Sequence, residues 1–380
     1  MNKITLIATS TFGLEMLVKN EVKALGFKDI KVSDGRVEFE ATLEDIPRTN
    51  LWLRCADRVL LKIGEFKALD FDDLFDKTKA LPWERWITED GKFTVNGKSV
   101  KSTLSSVRAC QSIVKKAVVE RLKEKYNIEW FKETGAEFTI QVSILKDTAL
   151  LTIDTSGTGL HKRGYRKETV EAPIKETLGA ALILLSCWKK DSILIDPMCG
   201  SGTIPIEAAM IARNVAPGLK REFASEKWPL IKKEVWQKAR LAAKNAVVAD
   251  QKLQIFGYDI DDKSIKSSGI NAKSVGVEDD IIFEQKNIKD LWIDKQYGVV
   301  ISNLPYGIRM ESPQQLHEIY VSINKMFKKK KGWSLYVLTA DEEFPKYFKR
   351  SWPDRVRKLY NGNIQTNYYQ YYGDRPKNNK

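Results

Sequence analysis

The sequence predicts an α/β fold: a mostly parallel, helix-covered sheet closed by an antiparallel C-terminal strand and preceded by two smaller α+β units. Three observations carry this. From about Ala172 onward, apolar strand segments alternate with helical patterns, the rhythm of a parallel sheet covered on both faces. The end differs: Arg355 to Tyr360 and Ile364 to Tyr372 flank Asn361-Gly362-Asn363, which reads as a β-hairpin. The first 66 residues run βαββαβ, the ferredoxin-like order.

In the first unit, residues 1–66, Ile4 to Thr9 is a strand, and Leu14, Leu17, Val18, Val22 and Leu25 recur at helical spacing until Gly26. Strands from Ile30 and from Val37 meet at Asp34-Gly35, followed by a helix over Leu43 to Cys55 and a strand over Val59 to Ile63. The second unit, residues 67–160, has a helix near Phe71 to Lys79, a strand near Phe93 and a long helix from Ser105 to Lys125. Strands at Phe138 to Leu145 and Ala149 to Ile153 complete it. The lysines of the long helix read as a solvated face.

The run from Thr155 to Arg166 is rich in glycine and hydroxyls and reads as a linker. Within it Lys162, Arg163 and Arg166 surround Tyr165, a combination suited to phosphates and an unstacked base. In the third unit, residues 161–380, strands are expected at Ile193 to Ile195, Leu253 to Tyr258, Ile281 to Glu284, Val299 to Ser302 and Leu335 to Leu338.

Composition excludes several chemistries. Two histidines, His161 and His317, leave no room for a His triad or a His-based metal cluster, and four scattered cysteines lack C-x-x-C spacing, so no metal is expected. No apolar run reaches the ~18 residues of a membrane span. The N-terminus reads as a strand rather than a signal peptide, so a cytoplasmic location is expected. A net charge of +13 fits a polyanionic partner or simply solubility.

Asp196-Pro-Met-Cys-Gly-Ser-Gly202 follows a strand and opens a helix at Thr203. Gly200 and Gly202 let the backbone approach a ligand, and the helix start offers free N–H groups. A dinucleotide fingerprint needs a third glycine where Pro205 stands and an acid about 20 residues on, whereas Asp259 lies much further along. Asp196 also sits where a pyrophosphate would need positive charge. An ammonium and a sulfonium suit that carboxylate, so Asp196, Pro197, Met198, Gly200, Gly202 and Thr203 select S-adenosylmethionine. Asp259, at the next strand end, is the candidate ribose ligand, Ile260 an adenine contact and Asn287 an acceptor for the adenine amine.

Asn303-Leu304-Pro305-Tyr306 follows another strand. An exocyclic base amine is a poor nucleophile because its lone pair is delocalised. The Asn303 side-chain oxygen and the Leu304 carbonyl can both accept from that NH₂, aiming its nitrogen, while Tyr306 offers a stacking face and Pro305 restrains the carbonyl before it. Asn303 thereby borders cofactor and target alike.

These motifs, together with His161-Lys-Arg-Gly-Tyr-Arg166, Glu171-Ala-Pro-Ile-Lys-Glu176 and Phe223-Ala-Ser-Glu-Lys-Trp-Pro229, resemble bacterial THUMP-domain methyltransferases related to the large-subunit rRNA guanine-N2 enzymes, often catalogued as adenine-N6 DNA methylases. The resemblance implies a ferredoxin-like domain, a THUMP RNA-binding domain and a Rossmann-like class I methyltransferase domain acting on RNA, with ribosomal RNA as the expected partner. Two departures stand out: Leu304 replaces the first proline of N-P-P-Y, and Asn287 stands where an aspartate is usual. Guanine-N2 transfer, adenine-N6 transfer and a non-catalytic RNA-binding factor that has kept the cofactor fold all remain open on the residues alone.

Overall fold

The computed structural model describes residues 3–167, 173–305, 313–327, 330–348 and 352–374. Packing divides the chain into two units. One comprises Met1–Ser10, Lys19–Leu160 and Glu222–Leu241; the other comprises Thr11–Val18, His161–Arg221 and Ala242–Lys380.

The N-terminal half runs β1 (Ile4–Thr9), α1 (Glu15–Ala24), β2 (Lys31–Ser33), β3 (Arg36–Ala41), α2 (Asp45–Trp52) and β4 (Arg58–Lys67), then α3 (Phe71–Lys79), β5 (Lys92–Val100), α4 (Val107–Tyr126), β6 (Glu137–Leu145) and β7 (Thr148–Asp154). Local signals set these limits. Asp70 caps α3 by accepting from the Asp73 N–H at 2.7 Å, and α4 ends at Asn127 in the left-handed region. Alternate residues of β6, from Phe138 to Ile144, are buried, so one face of the strand looks into the core. The strand order is β2-β3-β1-β4-β7-β6-β5. Ferredoxin-like order holds through β4, but the sheet continues without a break, because β4 pairs antiparallel with β7. β5 and β6 are parallel, with α4 as their crossover.

The C-terminal half adds α5 (Glu176–Leu184), β8 (Leu194–Asp196), α6 (Thr203–Ala212), α7 (Lys233–Asn245), β9 (Ile255–Asp259), α8 (Asp262–Val275) and β10 (Ile281–Gln285). It continues with β11 (Tyr297–Asn303), α9 (Pro313–Phe327), β12 (Gly332–Thr339), α10 (Phe344–Tyr347), β13 (Arg355–Asn361) and β14 (Ile364–Tyr371). Its sheet has the order β10-β9-β8-β11-β12-β14-β13. The pairs from β10 through β12 are parallel; β14 is antiparallel to β12, and β13 to β14. The antiparallel hairpin expected at the end is therefore present.

Val300, Leu304, Trp333, Leu335 and Val337 share one buried cluster with Phe344. β8 lies between β9 and β11, so winding reverses there. Such a reversal opens a crevice beyond the carboxyl ends of the strands, and the candidate site residues fall at those ends.

Candidate active site

Three strand ends build the site. Asp196 ends β8, Asp259 ends β9, and Asn303 ends β11. Register places Val300 beside Ile195, so Ile301 stands level with Asp196 and Ser302 and Asn303 follow just beyond it. Asp196 is buried, and its Oδ1 accepts from the Ser302 hydroxyl at 2.8 Å and the Met198 N–H at 3.3 Å. Burial pushes this carboxyl up to about 7, with the nearby Asp259 charge adding to it and the two hydrogen bonds opposing.

The glycine loop between β8 and α6 is fixed from below. Cys199 N–H donates to the Tyr258 carbonyl at 2.8 Å, and Gly200 N–H to Asp259 Oδ2 at 2.9 Å. Gly202 has a φ of +81°, and a Cβ there would lie 2.8 Å from Ser268 and 3.0 Å from the Phe283 ring. Only glycine meets both conditions. No side chain caps α6, which leaves its first N–H groups to the cavity.

That cavity, of about 340 Å³, is lined by Asp196, Met198, the glycine loop, Asp259, Ile260, Asn303 and Pro305. A second hollow of about 290 Å³ shares Met198, Asp259, Ile260 and Pro305 with it and continues to Pro197 and Asn287. Together they make one elongated groove, with Asp196 at one end, Asp259 and exposed Ile260 where the two hollows meet, and Asn287 toward the other end. Asn303 Oδ1 is buried and, among the described residues, has no hydrogen-bond partner. An orphaned acceptor costs about 1–3 kcal/mol, which a ligand N–H would recover. An elongated ligand with a cation, a diol and a flat ring matches this set of groups.

Asn287 lines the second hollow and also has a structural role. Its side-chain oxygen accepts from the Lys289 N–H at 3.0 Å, capping the short turn over Ile288–Asp290. One lone pair is thus committed, and a ligand amine would have to share the oxygen. Leu304 is fully buried in the core, and its N–H donates to the Leu338 carbonyl at 3.0 Å. A proline at this position could not make that bond, so packing and the ladder hold the loop that the usual proline would stiffen. Tyr306 lies outside the described residues.

The linker requires a correction. Arg163 and Tyr165, expected to face RNA, are both buried, and each reaches Glu207 Oε1 of α6 at 3.3 Å. Neither ring nor guanidinium is available to a base or phosphate. Arg166 is half-buried: it binds Glu176 at 3.0 Å, the Ile174 carbonyl at 3.1 Å and the Thr203 hydroxyl at 3.0 Å, securing the cavity wall. Thr203 is buried by the same contact, and of the four residues Lys162 alone is exposed. Sequence reasoning missed Glu207 and Ser302. Glu207 left a signal, being the one charged residue in the otherwise apolar Thr203–Ala212, where a buried carboxylate demands partners.

Among the described residues no helix is long and apolar enough to cross a membrane, and no group of three potential ligands could hold a metal ion.

Comparison with known proteins adds three family models: an RMKL-like methyltransferase domain over residues 163–370, an RlmL ferredoxin-like domain over 5–60 and a THUMP domain over 68–154. A provisionally named RNA methyltransferase of Bacillus subtilis, YpsC, is 48% identical, covering 100% of this chain and 99% of its own. The ribosomal RNA large subunit methyltransferase K/L of Syntrophotalea carbinolica is 34% identical over 95% of this chain, which spans about half (52%) of that longer protein. Among solved structures, a predicted N6-adenine-specific DNA methylase from Listeria monocytogenes superposes with a TM-score of 0.93 at 50% identity, covering 98% of this chain and 97% of that one. A provisionally named methyltransferase, SMU.472, solved with SAH, also gives 0.93, at 41% identity over 99% and 100% of the two chains.

Proposed function

Because the chain belongs to the RMKL-like methyltransferase family, with ferredoxin-like and THUMP domains ahead of the catalytic one, we propose that it methylates an exocyclic amine of RNA, the N2 of a guanine in large-subunit ribosomal RNA. The methyl donor is S-adenosylmethionine, and a cytoplasmic site of action goes with this reading. The observation that carries the choice of an amine is the buried Asn303 Oδ1, without a hydrogen-bond partner among the described residues and lining one cavity with Asp196 at the switch point of the sheet.

S-adenosylmethionine supplies, when bound, an electrophilic methyl group on a sulfonium. Asp196 would hold the ammonium, the start of α6 the carboxylate, and Asp259 the ribose hydroxyls. Asn303 Oδ1 and the Leu304 carbonyl accept from the target NH₂. They draw its hydrogens aside so that the lone pair localises on nitrogen and points along the line of transfer. As the N–C bond formed, the sulfur–methyl bond would break to leave the neutral thioether, and the cationic, acidic amine would pass its proton to water without needing a strong base.

The test is a split readout. Asn303→Ala is expected to lower transfer by about 10²–10³ while leaving the S-adenosylmethionine dissociation constant within about threefold. Parallel loss of both would mean that Asn303 serves the cofactor instead. Adenine N6 is the second reading, since the same two acceptors fit that amine and the Listeria relative bears an N6-adenine name.

A further inference from the structure

The Phe223 to Pro229 motif has no part in the chemistry above, yet it is built as firmly as the site. It lies within the stretch matched by the methyltransferase model, residues 163–370, but packs with the unit that carries the THUMP match. Two hydrogen bonds fasten Ser225 to the Thr155 carbonyl just after β7, at 2.8 and 3.1 Å. The Trp228 indole N–H donates to the Glu137 carbonyl at 3.2 Å, and its ring packs on Phe138 at 5.1 Å. Trp236 stacks on Phe223 at 5.3 Å, and its indole N–H donates to the Ser225 carbonyl at 3.3 Å. Both tryptophans are buried. These contacts make a rigid aromatic floor rather than a stacking surface.

Above that floor is a hollow of about 390 Å³, lined by Lys227, Lys232, Lys233 and Arg240 against a single carboxylate, Glu226. Glu226 is already committed, because its Oε1 accepts from the Phe223 N–H at 3.1 Å and from Arg240. The three lysines are exposed, and no carboxylate among the described residues lies within ion-pair distance of them. On α3 and α4 of the same unit, by contrast, Lys77, Lys79, Lys116 and Lys123 each face an acid. Three like charges around one rigid hollow repel each other. A partner carrying closely spaced negative charges would relieve that repulsion without reorganising the floor.

We propose that the hollow ringed by Lys227, Lys232 and Lys233 is a phosphate-backbone contact surface for the substrate RNA, supplied by the catalytic half of the chain to the THUMP-bearing unit. It rests on the reading that the substrate is RNA. Four basic side chains and one exposed amide, Gln237, line it, with both tryptophan rings buried, so it contributes chiefly affinity and register rather than sequence choice. Each phosphate contact lowers affinity in added salt, so three lysines would steepen the salt dependence by roughly two to three log units per log unit of salt.

The experiment measures binding of an unmodified large-subunit rRNA transcript to the full-length protein across a salt series. Wild type is compared with the triple Lys→Ala variant at 227, 232 and 233 and with the triple Lys→Arg variant. The alanine variant is expected to bind about tenfold or more weakly near physiological salt, with a shallower slope. Its melting temperature and S-adenosylmethionine affinity should be unchanged, and the arginine variant should match wild type. Unaltered RNA affinity and slope in the alanine variant would overturn this surface while leaving the RNA reading in place. No RNA binding by wild type would overturn the RNA reading itself, and this proposal with it.

Discussion

Held near 7 by burial, the Asp196 carboxyl makes the cofactor site sensitive to pH. Its value lies above the ordinary carboxylate range, so without ligand its contribution to stability is full at low pH and is lost as pH rises through about 7. Ligand binding works the other way, because only the ionised carboxylate attracts an ammonium. Between pH 7 and pH 5, calorimetry should show the dissociation constant of S-adenosylhomocysteine rising by close to tenfold per unit. Asp196→Asn should bind weakly at every pH and lose that slope. A flat profile in the wild type would remove Asp196 from the ammonium site. Asn303 poses the opposite problem, a neutral oxygen buried without a partner among the described residues. One residue is tuned for a cation and its neighbour for an N–H donor.

At the scale of elements, the linker and α6 form one structure. Arg163 and Tyr165 reach into the catalytic half to Glu207, the only charge on a helix that is otherwise apolar all round. Removing one partner of a buried pair strands the other. Arg163→Ala should therefore cost roughly 3–5 kcal/mol in denaturant unfolding, whereas RNA affinity per folded molecule should stay near that of wild type. A stable variant with poor RNA binding would restore the linker as an RNA contact.

This is also where the sequence was least legible. A basic, glycine-rich run with one tyrosine reads identically whether its side chains face solvent or a hidden carboxylate, and only the lone Glu207 hinted at the second. Strand ends were easier, because a polar residue closing an apolar run has a fixed place: Asp196, Asp259 and Asn303 all fall at the crevice. The cap made by Asn287 depended on turn geometry that residue identity does not specify. Leu304 was legible as a departure from a motif, but its hydrogen bond to Leu338 joins neighbouring parallel strands far apart in sequence.

For the whole molecule, order of elements was readable and packing was not. The βαββαβ run and the βα rhythm with its closing hairpin could be followed along the chain. That the first sheet runs unbroken through seven strands, and that Glu222–Leu241 packs with the N-terminal unit, are non-local facts. This exchange of chain matters for function, since it lets the catalytic half lend a basic surface to the THUMP-bearing unit. Methylation of a guanine N2 in RNA is best tested by nucleoside mass spectrometry of RNA from a strain lacking this protein. One N2-methylguanosine should disappear from large-subunit ribosomal RNA, and should be restored by the wild-type protein and not by Asn303→Ala. Unchanged N2-methylguanosine in every RNA species, with N6-methyladenine lost instead, would contradict it.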